Sequence, residues 1–154
     1  MSTSLASSLG FAKIASTDTI REVLRTQISP TARPALHRSS FEPAGGSATE
    51  DWKETVHALS GGVLAVIERA ISKGTDLLLE GVHYLPNKEV IDLWREAGGV
   101  AIGVVLYVSS EERHRGMIAN REKHNGKKVD HYLGNLNRIR EIQEELVLSG
   151  SEFG

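Results

Sequence analysis

The strongest pattern along this chain is a run of apolar residues at helical spacing. Within residues 51–73, Trp52, Val56, Leu59, Val63, Val66, Ile67 and Ala70 share one helix face, and Gly74 supplies the stop. Gly61 and Gly62 each weaken that helix by about 1 kcal/mol, so close packing against them is expected. Shorter helices are predicted over 5–9, ended by Gly10, over 20–25, over 90–97, ended by Gly98-Gly99, and over 111–124. A last helix over 131–148 is expected to bury Leu133, Leu136, Ile139, Ile142 and Leu146. Ser16, Thr17 and Asp18 are cap residues ahead of 20–25, and Thr19 with Glu22 reads as its capping box.

Two apolar runs do not alternate. Leu77-Leu78-Leu79, within 76–82, and the nine residues 100–108 have the composition of strands buried on both faces of a parallel sheet. Residues 11–15 read as a further short strand. The resulting order of strand, helix, helix, strand, helix, strand, helix, helix predicts an α/β domain with a parallel sheet and right-handed crossovers. Residues 29–47, with Pro30, Pro34, Pro43 and Gly45-Gly46, cannot form a regular element, and a loop of that length inside a domain is more often functional than idle. One domain over 1–150 is expected, with a tail at 151–154.

Composition narrows the classes. With 18 basic and 20 acidic residues the formal charge is −2, which gives no sign of nucleic-acid binding. There is no cysteine, so disulfides and thiolate metal sites are excluded. The N-terminus lacks a signal-peptide pattern, and the apolar run at 100–108 is far too short to span a bilayer. A cytoplasmic protein with no membrane partner is expected. Charge is nonetheless uneven. Between Arg113 and Arg140 stand Arg113, Arg115, Arg121, Lys123, Lys127, Lys128, Arg138 and Arg140, opposed only by Glu122 and Asp130. Such a segment, lid-like over 113–131, points to a local anionic ligand.

Several residues could carry chemistry. Glu80 ends the strand Leu77-Leu78-Leu79, where open α/β sheets bind ligands and where a carboxylate can hold Mg²⁺ directly or through water. Capping the following loop is the plainer role. Asp18 sits at the other strand edge, where it could take the proton of a substrate hydroxyl or simply cap the helix behind it. Arg21 and Arg25 share a helix face and suit a carboxylate or phosphate, or a solvated surface. Arg113, Arg115 and Arg121 could stabilise a phosphoryl transition state, against the alternative of a solvated helix. His37 and His83 read as polar loop residues, and the six histidines show no metal spacing.

Four blocks then become specific. They are Ile14-Ala15-Ser16-Thr17-Asp18-Thr19-Ile20-Arg21-Glu22-Val23-Leu24-Arg25, Pro34-Ala35-Leu36-His37-Arg38-Ser39-Ser40-Phe41-Glu42, Leu78-Leu79-Glu80-Gly81-Val82-His83-Tyr84-Leu85-Pro86, and Tyr132-Leu133 through Ile139-Arg140-Glu141-Ile142-Gln143. In this order they resemble the 2-phosphoglycerate kinases, small-molecule kinases of the P-loop class. The resemblance implies a three-layer α/β/α domain and transfer of phosphate from ATP, with Mg²⁺, to the 3-hydroxyl of 2-phosphoglycerate, a small phosphorylated acid. It implies Asp18 at the acceptor hydroxyl, and Arg21, Arg25, His37, Ser39 and Ser40 around the acceptor's anionic groups. Glu80 would organise Mg²⁺, and the basic segment would close as a lid.

The chain departs from that family's pattern in lacking any G-x-x-x-x-G-K-[ST] loop, the nest of backbone amides that cradles phosphates. It reads as starting inside the family's first helix, without the first, central strand and without a last strand. The strands at Leu77 and Val100 would then lose the partner between them. Poor ATP binding, no measurable catalysis, marginal folding and pairing with another chain through unpaired strand edges are the expectations. Two other readings stay open: a non-catalytic remnant that binds an anionic metabolite or partner subunit, and a P-loop kinase with another hydroxyl acceptor.

Overall fold

The computed structural model describes residues 2–85, 87–125 and 129–151. Lys127 and Lys128 of the basic segment, the side chain of Lys123 and the tail beyond residue 151 lie outside the described residues. In chain order the elements are α1 (Ser2–Leu9), β1 (Ile14–Ser16), α2 (Thr17–Gln27), a 3-10 turn (Pro34–Leu36), α3 (Ala48–Lys73), β2 (Leu78–Glu80), α4 (Lys88–Glu96), α5 (Glu111–Asn125), α6 (Val129–Gly134) and α7 (Leu136–Ser151). The chain is thus mixed α/β, with a two-stranded parallel sheet among the described residues. Its register pairs Ile14 with Leu78, Ala15 with Leu79 and Ser16 with Glu80. Both strands therefore end side by side.

The long helix α3 organises the rest. A capping box starts it: the Ser47 hydroxyl accepts from the Glu50 N–H, and the Glu50 carboxylate accepts from the Ser47 N–H. Gly74, at φ +56°, ends it in the left-handed conformation that glycine adopts without strain. Its apolar face buries Leu59, Val63 and Ile67 with Leu36, against Ile20 and Leu24 of α2, Leu77, Leu79 and Trp94. A second cluster joins Ala48 and Trp52 to Ile142 of α7, with Phe41, Leu85 and Leu146 around them. The loop over 29–47 is thereby trapped between α2, α3 and α7.

The close packing expected at the glycine pair belongs to one of them. A methyl on Gly62 would stand 2.9 Å from Ile20 Cγ2, whereas one on Gly61 would meet nothing within 4 Å. Gly61→Ala is therefore expected to raise stability by about 1 kcal/mol, measured by urea denaturation, since it adds helix propensity without a clash.

Three expectations are corrected. First, α2 begins at Thr17, with Ser16 as N-cap and no side-chain cap bond, so Thr19 and Glu22 make no capping box. Second, the last helix is broken at Asn135 into α6 and α7, and only Leu136 and Ile142 of its five apolar anchors are fully buried. Third, 100–108 is not a buried strand. It has no ladder partner among the described residues, and Val100, Ile102, Val104 and Leu106 are 84, 82, 72 and 69% exposed. Burial on both faces requires neighbouring strands on either side, and neither β1 nor β2 pairs with it. The segment lies instead along α7: the Val108 N–H donates to Gln143, the Val108 carbonyl accepts from Gln143 and Arg140, and Val105 packs on Gly150. Among the described residues no helix is long and apolar enough to cross a membrane.

Candidate functional site

The adjacent C-terminal ends of β1 and β2 place Ser16-Thr17-Asp18 beside Glu80-Gly81-Val82-His83. That end of an open parallel sheet is the usual ligand edge. Here a polar cluster is built around one imidazole. His83 is buried, and its Nδ1 lies 3.3 Å from Thr17 Oγ1 and 3.5 Å from Asp18 Oδ1. On the far side its Nε2 takes a short contact with the Ser40 hydroxyl, which comes from the loop over 29–47. Ser40 and Thr17 are buried with it, while the Asp18 side chain is 71% exposed. The cluster thus runs from the interior to a carboxylate at the surface.

Local sequence explains this placement. Thr17 turns its side chain towards β2, and Gly81 makes room: a Cβ there would sit 1.9 Å from Thr17 Oγ1. Gly81 also adopts φ +134°, a conformation rarely open to other residues. The following turn is tied down by Trp52, whose indole N–H donates to the Val82 carbonyl at 2.8 Å.

The Ser40 loop is pinned from three sides. Arg21 of α2 donates to the carbonyls of Leu36, at 2.9 Å, and Arg38. His37 Nε2 donates to the Ile28 carbonyl at 2.8 Å, and Arg38 donates to the Asp51 carbonyl at 2.6 Å and to Glu54 at 2.8 Å. Asp51 of α3 accepts from the Ala44 and Gly46 N–H groups and, at 2.5 Å, from Arg138 of α7, which also donates to the Phe41 carbonyl. The Ala44 N–H first, with the Gly46 N–H and the Arg138 guanidinium, holds the Asp51 carboxyl below its ordinary range against the cost of its burial.

Burial pushes the His83 imidazole down to about 4, against the opposing charge of Asp18 and with a smaller contribution from Arg21. At neutral pH the ring is uncharged. The Asp18 carboxylate can only accept, so it favours the tautomer with the proton on Nδ1, which leaves Nε2 to accept from the Ser40 hydroxyl. Burial also lowers the Arg21 pKa, with Arg25 adding to the effect.

The structure brings together some of the residues singled out above and separates others. Asp18 and Ser40 share the His83 ring, and Glu80 ends the paired strand, half-buried, its carboxylate making no hydrogen bond or ion pair with another described residue. Arg21 and His37 bind loop carbonyls, Ser39 donates its N–H to Glu42, and Arg25 pairs with Glu22 at 2.8 Å on the surface. Arg113 and Arg115 are exposed on α5, the latter 3.3 Å from Glu111, and Arg121 lies over the Tyr132 ring. Neither Arg113 nor Arg115 contacts the His83 cluster.

His83 lies in the loop after β2, as expected, yet it is 2% exposed and stands at the centre of the cluster. Its membership of the block from Leu78 to Pro86 was the available signal. Among the described residues no three His, Asp or Glu side chains gather as a metal cage. A single strand-end carboxylate such as Glu80 is compatible with Mg²⁺, an ion commonly held by one or two carboxylates with substrate phosphates completing the shell. For a triphosphate the sequence carries no G-x-x-x-x-G-K-[ST] motif.

Comparison with known proteins gives a consistent result. The chain is 31% identical over 161 residues to the 2-phosphoglycerate kinase of Pyrococcus furiosus, with 99% of this chain and 52% of that protein covered. The like-named protein of Methanococcus vannielii is 32% identical over 161 residues, covering 96% of this chain and 51% of its own length. That of Methanothermobacter thermautotrophicus is 35% identical over 127 residues, with 76 and 41% covered. No family model matches the chain, and no solved structure gives a significant match. The chain spans about half the length of the curated relatives it matches. Over almost all of its own length it is a homologue of the archaeal 2-phosphoglycerate kinases.

Proposed function

We propose that this chain forms the acceptor side of a phosphotransferase acting on 2-phosphoglycerate, with 2,3-bisphosphoglycerate as the product. The observation that carries this reading is the cluster Asp18–His83–Ser40, built at the strand ends from the segments in which the kinase relationship lies. ATP would supply the phosphoryl group, and Mg²⁺, held through Glu80, would neutralise phosphate charge. What the chain's own residues do is bind and orient the acceptor. The exposed Asp18 carboxylate accepts a hydrogen bond from the 3-hydroxyl and takes its proton as that oxygen becomes nucleophilic. Arg25, one turn further on α2 and held among the described residues by Glu22, can exchange that partner for the acceptor's carboxylate or phosphate. Arg21 and His37 fix the loop rather than the ligand. The arginines of α5 then serve as counter-charge over the phosphates, in a reaction whose catalysis is largely electrostatic.

Isothermal titration of the whole chain tests this. 2-Phosphoglycerate is expected to bind, and Arg25→Ala to weaken it roughly ten-fold or more, the range of a lost charge-assisted hydrogen bond. Mg-ATP alone is expected to bind weakly, because the sequence carries no G-x-x-x-x-G-K-[ST] loop. Equal affinity for unrelated phosphorylated alcohols would remove the substrate assignment, and tight Mg-ATP binding would reveal a nest in another segment.

A further inference from the structure

The buried imidazole has a use beyond filling space. A carboxylate on the first turn of a surface helix is ordinarily free to sample several rotamers, and freedom at a recognition group weakens discrimination. Asp18 is different, because among the described residues the side chain within ion-pair distance of its Oδ1 is His83, whose Nδ1 lies 3.5 Å away. His83 itself has little freedom. Ser40 holds its Nε2, Thr17 shares its Nδ1 face, and Trp52 ties the preceding carbonyl. The charged groups facing the ring are Asp18 and Arg21, both from α2.

We propose that His83 is a specificity-determining residue that aims Asp18 at the hydroxymethyl group of the acceptor, so that the site distinguishes a phosphorylated hydroxy acid from the same acid without its free hydroxyl. This rests on the acceptor reading above. His83 touches no substrate; it acts through Asp18. The discrimination follows from the chemistry of the pair. A ligand lacking the hydroxyl leaves the oriented carboxylate without its hydrogen-bond donor, a loss that hydrogen-bonding sites penalise strongly.

The probes are 2-phosphoglycerate and 2-phospholactate, which differ by that one hydroxyl. Titration of the full chain is expected to show preference for 2-phosphoglycerate of about ten-fold or more. In His83→Gln the preference is expected to fall towards one, with 2-phospholactate binding as in the parent. A merely structural role would weaken both ligands together, and an unchanged ratio in His83→Gln would overturn the proposal. If the parent chain binds neither ligand, the substrate reading fails, and nitrogen-15 spectra of the His83 ring decide the remaining link. Asp18→Asn should then shift the Nδ1 resonance; no shift would show that His83 does not hold Asp18.

Discussion

Replacing Gly81 with alanine is expected to remove much of the stability of this fold, and with it the acceptor binding proposed above. The backbone there stands at φ +134°, and the added methyl would fall 1.9 Å from Thr17 Oγ1 and 2.9 Å from Thr17 Cβ. Thr17 cannot withdraw cheaply, since it is fully buried between the ends of β1 and β2. Backbone strain of about 1–3 kcal/mol and overpacking of a similar size combine to roughly 2–6 kcal/mol. That is a large part of the roughly 5–15 kcal/mol typical of a whole domain. Urea denaturation of Gly81→Ala beside Gly61→Ala is the direct check, because the same substitution should act in opposite directions at the two sites. A Gly81→Ala midpoint equal to that of the parent would mean that Thr17 is not wedged under His83.

The second large effect is a loss of stability in mild acid. The folded His83 titrates near 4, below the ordinary 6.5 of an imidazole, because its burial disfavours the charged ring. Between those values the unfolded chain binds a proton that the folded chain refuses. The contribution is therefore complete above pH 6.5 and is lost as pH falls towards 4, by about 3 kcal/mol over the whole window. His114, also lowered by burial and by Arg140 and Arg121, adds a slope of the same sign. The Asp51 and Glu50 carboxyls, held low by hydrogen bonds from the Asp51 loop and from Ser47, act at more acid pH. The difference between the parent chain and His83→Gln isolates the imidazole: the parent should lose stability faster from pH 6.5 to 4.5. Parallel curves would show that the ring charges freely in the fold.

Much of the framework is legible along the chain because it depends on local chemistry. The 3.6-residue period of α3 and its glycine stop need no tertiary information, and the adjacency of Asp18 and Glu80 follows from two strands ending together. The same holds for the irregular loop over 29–47, whose prolines and glycines forbid a regular element. What is not legible depends on partners distant in sequence. The run at 100–108 has the composition of a buried strand, yet composition states only what a segment can tolerate, and burial requires neighbours that neither β1 nor β2 supplies. His83 looks like any loop histidine until Ser40, 43 positions away, and Thr17, 66 positions away, close around it. Arginines invite assignment to anions, but Arg21 spends its planar donors on the carbonyls of Leu36 and Arg38, a use that only the folded loop reveals.

The grip of Arg138 on the Ser40 loop sets a timetable for the chain. Its guanidinium reaches Asp51 across 87 positions and the Phe41 carbonyl across 97. Contacts of such long range form late, since the intervening chain must be closed before they reward it. During synthesis β1, α2, α3 and β2 emerge and can associate while that loop still lacks its last anchor. The loop that carries Ser40 to His83 therefore gains its last anchor only once α7 has formed, after the sheet and α3 can already associate.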